Sequence, residues 1–206
     1  MPPPPPPISG LASDVVGLLD FLRIDRAHIF GVSLGGMIAQ VLTIEHPTRV
    51  RSLISVMSMS GEPEYGQGTP EAFSALLTPA PSDRAGFIEH SVVYQVYHSK
   101  KYRSDEFSKK SAARDFDRMY YPQGSDRQLA AVYASGRRAD ELRAVKTPTL
   151  VIHGEDDTLI TPSGGERTAE LIPNAKFVLV EDMGHDMPKP LWGFFVESIT
   201  EFVVKH

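Results

Sequence analysis

At 206 residues, with 41% hydrophobic and 23% charged positions, the chain has the composition of a globular protein with a sizeable core, enough for one domain carrying an insertion. A formal net charge of −5, with no basic stretch interleaved with aromatics, argues against a nucleic-acid partner. The lack of cysteine excludes disulfides and thiolate metal sites; with no long apolar run and no signal-peptide pattern, the expected setting is cytoplasmic, without a membrane partner.

Met1 to Pro7 reads as an extended polyproline II stub, and residues 1–8 are expected to form a disordered, proline-rich leader. From Leu11 the pattern turns helical, with Leu11, Val15, Leu18, Leu19 and Leu22 on one face and Ser9 or Ser13 as N-cap. Ala27 to Phe30 is a short apolar run of the kind that makes a buried strand. Beyond the turn Gly31-Val32-Ser33-Leu34-Gly35-Gly36, the positions Leu34, Met37, Ile38, Val41 and Leu42 form the stripe of an amphipathic helix.

Strand, sharp Gly-x-Ser-x-Gly turn and helix are together the setting of a nucleophile elbow. Gly31 and Gly35 are expected to leave room where the strand folds back against the helix. Ser33 is expected to be strained, its hydroxyl at the tip of the turn. The backbone N–H of Leu34, at a helix N-terminus, would then point where an oxyanion forms. His46-Pro47 closes the helix.

Arg49 to Met57 gives a second strand, so strand, helix and strand imply a right-handed crossover and a parallel sheet. Residues 61–69 are a Gly-, Pro- and Glu-rich loop, and Thr69-Pro70-Glu71 has the N-cap, first-turn proline and first-turn acid of a new helix. The segment 61–140 reads as an inserted helical lid between the two parts of an α/β core, 9–60 and 141–206. For its aromatics, packing within the lid is the expected role over lining a pocket. Thr147 to Gly154 is a strand ending in the turn Glu155-Asp156-Asp157-Thr158. Thr161-Pro162 opens a helix that stops before Pro173, and Lys176 to Val180 is the last strand, followed by Met183-Gly184-His185-Asp186. A closing helix shows Trp192, Phe195, Val196, Ile199 and Val203 on one face.

In such a sheet, functional groups belong just beyond the C-terminal ends of the strands, where Ser33, Asp156/Asp157 and His185 all fall. A serine hydroxyl needs a base within hydrogen-bond reach, a histidine can serve, and a carboxylate on the far ring nitrogen fixes its tautomer. The order serine, acid, histidine suits this fold. Asp156 and Asp157 compete for the acid; spacing from Gly154 favours Asp157. A metal site built from His153, Asp156, Asp157 and His185 has no ligand pair at helical spacing and leaves Ser33 unexplained, so no metal and no cofactor is expected.

The stretches Gly31-Val-Ser-Leu-Gly-Gly-Met-Ile-Ala, Val151-Ile-His-Gly-Glu-Asp-Asp and Gly184-His-Asp-Met-Pro resemble the α/β-hydrolase superfamily, most of all its esterase-like branch that includes aclacinomycin methylesterase relatives. The resemblance runs from about Leu11 to the C-terminus. It implies Ser33 as nucleophile, Asp157 as acid, His185 as base and Leu34 N–H as one oxyanion donor. The activity it implies is hydrolysis of small to medium apolar carboxylic esters, with perhydrolases, lactonases and carbon–carbon hydrolases sharing the same triad. Members of that superfamily carry further strands ahead of the elbow helix, one of them followed by a loop that supplies a second oxyanion donor; here a proline stub stands in that place. The elbow strand is therefore expected at a sheet edge, covered by self-association or by rearrangement of the lid, and a lost donor would cost about 10²- to 10³-fold in turnover unless a substitute donor replaces it. The competing expectation is a shortened, catalytically impaired relative acting as an interaction or scaffold protein.

Overall fold

The computed structural model describes residues 7–206; the polyproline stub falls on residues 1–6, outside the described residues. Ile8, which the expected 1–8 leader includes, belongs instead to the core: helix α1 spans Ile8–Phe21 and Ile8 is fully buried. Neither Ser9 nor Ser13 caps it. Pro7 holds the cap position in extended backbone, and the Ile8 N–H donates to Ser135 Oγ at 2.9 Å, a partner 127 residues away.

Four strands follow in one parallel sheet of order β1-β2-β3-β4: β1 Ala27–Val32, β2 Val50–Val56, β3 Thr149–Gly154 and β4 Lys176–Val180. The register runs from Ile29 opposite Leu53 to Val32 opposite Val56, then Leu53 opposite Thr149, then Leu150 opposite Lys176. Helix α2, Leu34–Glu45, makes the β1–β2 crossover and ends before Pro47; α8, Ser163–Leu171, makes the β3–β4 crossover. Between β2 and β3 the chain forms helices α3 Pro70–Leu77, α4 Arg84–His90, α5 Asp105–Arg118, α6 Pro122–Ser135 and α7 Ala139–Arg143, with a 3-10 helix at Ser91–Tyr97. Thr69 Oγ1 caps α3 by accepting from Ala72 N–H at 3.2 Å, as its Thr-Pro-Glu signature predicts.

Period-two alternation decides what each sheet face meets. Ile54, Val56, Leu150 and Ile152 turn one way, onto Phe195 and Phe202 of α9, Trp192–Val203. Leu53 turns the other way, onto Ala39 of α2, Leu142 of α7 and Leu171 of α8. Helix α1 packs on α2 and α6 through Ile8, Ala12, Met37, Leu42 and Ala131.

Two predicted helix faces are off by a rotation. In α1, Leu11, Val15 and Leu19 of the predicted face do pack inward beside Ile8 and Ala12, but Leu18, and Leu22 just past the helix, are 56% and 52% exposed, because only the first side meets α2 and α6. In α9, Val196 is 67% exposed and Phe202 takes its place beside Phe195, with Ile199 and Val203 packed at the margin. Strand β1 is the edge of the described sheet, as expected, and Phe30 is 46% exposed on the face whose centre α9 covers.

Candidate active site

The turn after β1 is tight enough to force its conformation. A Cβ on Gly31 would lie 2.1 Å from the Gly35 carbonyl oxygen, so strand and helix meet backbone to backbone there. Gly35 itself has nothing within 4 Å of the place its Cβ would take, contrary to the expectation that it too relieves a collision. That role falls to Gly36, whose Cβ would sit 2.6 Å from Ser58 Cβ; one step along a helix turns the side-chain direction from solvent to sheet. Ser33, between them, has φ 53° and ψ −118°, a region costly for any residue with a side chain. Its hydroxyl makes no cap bond to the helix, although its carbonyl accepts from Gly36 and Met37 N–H. Leu34 opens α2, so its N–H is among those at a helix start with no intrahelical acceptor.

The three sequence-predicted side chains meet. Ser33 Oγ–H donates to His185 Nε2 at 2.8 Å, and His185 Nδ1–H donates to Asp157 Oδ2 at 2.8 Å. Each comes from a loop just past the C-terminal end of β1, β3 or β4. Of the two competing acids it is Asp157 that faces the histidine. Asp156 turns outward to Lys100, with its Oδ1 2.7 Å from the ammonium.

Asp157 is 2% exposed and fully engaged: Oδ1 accepts from the N–H groups of Leu159 (2.9 Å) and Ile160 (3.0 Å), and Oδ2 faces His185. Burial alone would push this carboxyl up, but hydrogen bonds from His153 and His185 outweigh it and hold the acid below its ordinary value. It therefore stays a carboxylate, the state that fixes a ring tautomer.

A strap from the helical segment fastens the histidine loop. The His185 N–H donates to Tyr97 O (2.6 Å), the Ser99 N–H donates to Asp186 Oδ1 (2.8 Å), and the Tyr97 ring stands edge-on to the imidazole at 6.0 Å. Burial raises the Asp186 carboxyl above its usual range and lowers the neighbouring His98. Beyond the strap lies a cavity of about 500 Å³ with Phe87, Tyr94, Tyr97, Tyr102, Phe107 and Met187 in its wall, a volume that suits a small organic ligand. It borders Tyr97 and Asp186, on either side of the His185 loop, and Ser33 is not in its wall. Thus several of the aromatics expected to pack within the helices line a hollow; Phe116 and Tyr120 stack at 4.4 Å and border a second cavity of about 490 Å³, while Tyr133 is exposed.

Sequence reading named His153 only as a metal-ligand candidate and missed its contact with Asp157. The imidazole is fully buried, Nε2 lying 2.8 Å from Ile160 O and 3.3 Å from Asp157 Oδ2. A histidine in an otherwise apolar strand, four residues before the acid, is the signal that was available.

Residues 2–188 match the family model described as alpha/beta hydrolase fold. The chain is 25% identical over 200 residues to rhodomycin D methylesterase of Streptomyces peucetius, covering 86% of this chain and 67% of that protein. It is 28% identical over 179 residues to 2-hydroxymuconate semialdehyde hydrolase of Pseudomonas putida, covering 82% and 59% respectively. It thus spans about two thirds or less of the length of these curated relatives. Among solved structures, a meta-cleavage product hydrolase from Pseudomonas fluorescens IP01 superposes with a TM-score of 0.80 at 18% identity, covering 100% of this chain and 74% of that one, a likeness of fold.

Proposed function

Since this chain belongs to the α/β hydrolase fold family and its curated relatives are hydrolases, we propose that it is a serine hydrolase that cleaves small to medium apolar carboxylic esters. The single observation that carries the reading is the unbroken relay of two 2.8 Å hydrogen bonds from Ser33 through His185 to Asp157. In this mechanism His185 Nε2 takes the hydroxyl proton as Ser33 Oγ attacks the ester carbonyl carbon. The imidazolium that forms is stabilised by Asp157 through Nδ1–H. The negative oxygen of the tetrahedral intermediate turns toward Leu34 N–H, which together with the N-terminal end of α2 stabilises it. His185 returns the proton to the departing alkoxide, leaving an acyl group on Ser33. A water molecule, deprotonated by the same nitrogen, then attacks that acyl carbon; the bond to Ser33 Oγ breaks, His185 returns the proton to that oxygen, and the carboxylic acid leaves.

Ester rather than another hydrolysable bond is favoured by the methylesterase relative and by the apolar cavity beside the histidine loop. The helices between β2 and β3 act in this reading as the lid that selects substrate. It also includes self-association at the open edge of β1, which size-exclusion chromatography at rising concentration tests. Hydrolysis of p-nitrophenyl acetate and butyrate by the wild type and by Ser33→Ala tests the chemistry. Turnover lost in Ser33→Ala supports it; equal rates for both proteins remove it and leave an interaction or scaffold role.

A further inference from the structure

The buried imidazole of His153 is a group that the proposed chemistry does not use. Nε2 faces two oxygen acceptors, the Ile160 carbonyl at 2.8 Å and Asp157 Oδ2 at 3.3 Å, so that nitrogen carries the hydrogen and shares it between them. On the other side of the ring, Nδ1 is buried with no hydrogen-bond partner. No room is left for one: a Cβ on Gly165 would stand 2.4 Å from Nδ1, so α8 lies directly against the ring. A buried nitrogen without a partner is destabilising, so an apolar ring of similar size would pack here at lower cost. What the histidine provides, and an apolar ring does not, is one N–H held at the acid and at the far end of its loop.

We propose that His153 is a positioning residue for the relay: its Nε2–H ties Asp157 Oδ2 to the Ile160 carbonyl, fixing the carboxylate's rotation so that Oδ2 remains in line with His185 Nδ1. Four N–H groups then converge on one carboxylate, the two from imidazoles both meeting Oδ2. The backbone pair from Leu159 and Ile160 anchors Oδ1 alone and leaves the group free to swing about it; the bond from β3 removes that freedom. The same contact contributes to keeping the acid ionised, since a hydrogen bond to the charged form favours that form.

The kinetic part of this inference rests on the hydrolase reading, and the spectroscopic part does not. His153→Phe fills the site without a donor, and His153→Gln restores an N–H near the position of Nε2. With p-nitrophenyl butyrate, His153→Phe is expected to lose tenfold or more in kcat with KM within about twofold, and His153→Gln to recover most of it, because only the orientation of the acid has changed. In the ¹⁵N–¹H correlation spectrum of wild-type imidazoles, His153 is expected as the Nε2–H tautomer, and Asp157→Asn is expected to shift that Nε2–H resonance. In the Ser33→Ala background, His153→Phe is expected to move the His185 Nδ1–H resonance and His153→Gln to leave it near its place. An Nδ1–H tautomer for His153 in the wild type, or a folded His153→Phe with unchanged kcat and unchanged His185 resonance, overturns the proposal. A wild type that shows the expected spectra but no Ser33-dependent hydrolysis sinks the hydrolase reading and leaves this one standing.

Discussion

Adding one methyl group to the elbow is expected to have opposite effects at two of its glycines, Gly31 and Gly35. In Gly31→Ala the new Cβ would stand 2.1 Å from Gly35 O, 2.4 Å from Gly35 C and 2.7 Å from Gly36 N, all backbone atoms that no rotamer change can clear. The first turn of α2 has to retreat by about 1 Å, and overpacking of this kind costs about 1–3 kcal/mol or more. For a chain of this length that is a fall of about 4–8 °C in melting temperature at the middle of the range. The same retreat carries Ser33 and Leu34 N–H away from His185, and a misplacement of about 1 Å costs on the order of 10²-fold in turnover. In Gly35→Ala the methyl group meets nothing within 4 Å, and exchanging glycine for alanine inside a helix gains up to about 1 kcal/mol. Thermal melts followed by circular dichroism, with p-nitrophenyl butyrate turnover for Gly31→Ala, check the pair. If both variants lose the same stability, or if Gly31→Ala melts with the wild type, the backbone-to-backbone account of the elbow is wrong.

Three further outcomes are expected. Ser33→Gly abolishes hydrolysis yet raises the melting temperature, because glycine occupies φ 53° without the strain of about 1–3 kcal/mol that serine bears there. Asp157→Asn drops kcat by about 10⁴-fold while Asp156→Asn, whose carboxylate meets an exposed lysine, stays within a few-fold of wild type; steady-state kinetics on both separates the two acids. Asp186 has its carboxyl raised by burial, so the folded state holds its proton at a pH where the unfolded chain has released it, and stability falls as pH climbs through that window. Asp186→Asn keeps an oxygen for the Ser99 N–H and is therefore expected to melt higher than wild type at pH 7, with the gain vanishing below about pH 4, where both states of the wild type are protonated. A lower melting temperature at pH 7 would refute the burial argument.

What was legible in the sequence is what is local. Strand, elbow and helix announce themselves within a dozen residues around Ser33, and Asp157 and His185 each sit a few residues past an apolar run. Parallel topology follows from the crossovers, so their convergence could be anticipated without coordinates. The features that were misread depend on partners far along the chain. Ile8 opens α1 because Ser135 satisfies its N–H, which no nearby serine signals. Leu18 and Val196 look like core residues by periodicity, but the neighbours that would cover them do not lie on those sides of α1 and α9. Gly35 and Gly36 are indistinguishable in a Gly-Gly pair until the angle between β1 and α2 is known. His153 stands out in the sequence as a histidine in an apolar strand, but its pairing with Asp157 depends on the loop 157–160 turning back to bring Ile160 O to the ring.

The hydroxyl and the imidazole of the relay are 152 positions apart and hang from the two outermost strands of the described sheet. No fragment short of the whole sheet can bring them together, and the sheet includes the pairing of β2 with β3 across the helical insertion, a contact between remote segments of the kind that is slow in folding. A chain emerging from the ribosome would therefore pass through a long inert stage, already helical and partly paired, with chemical competence arriving in one step when the fourth strand docks.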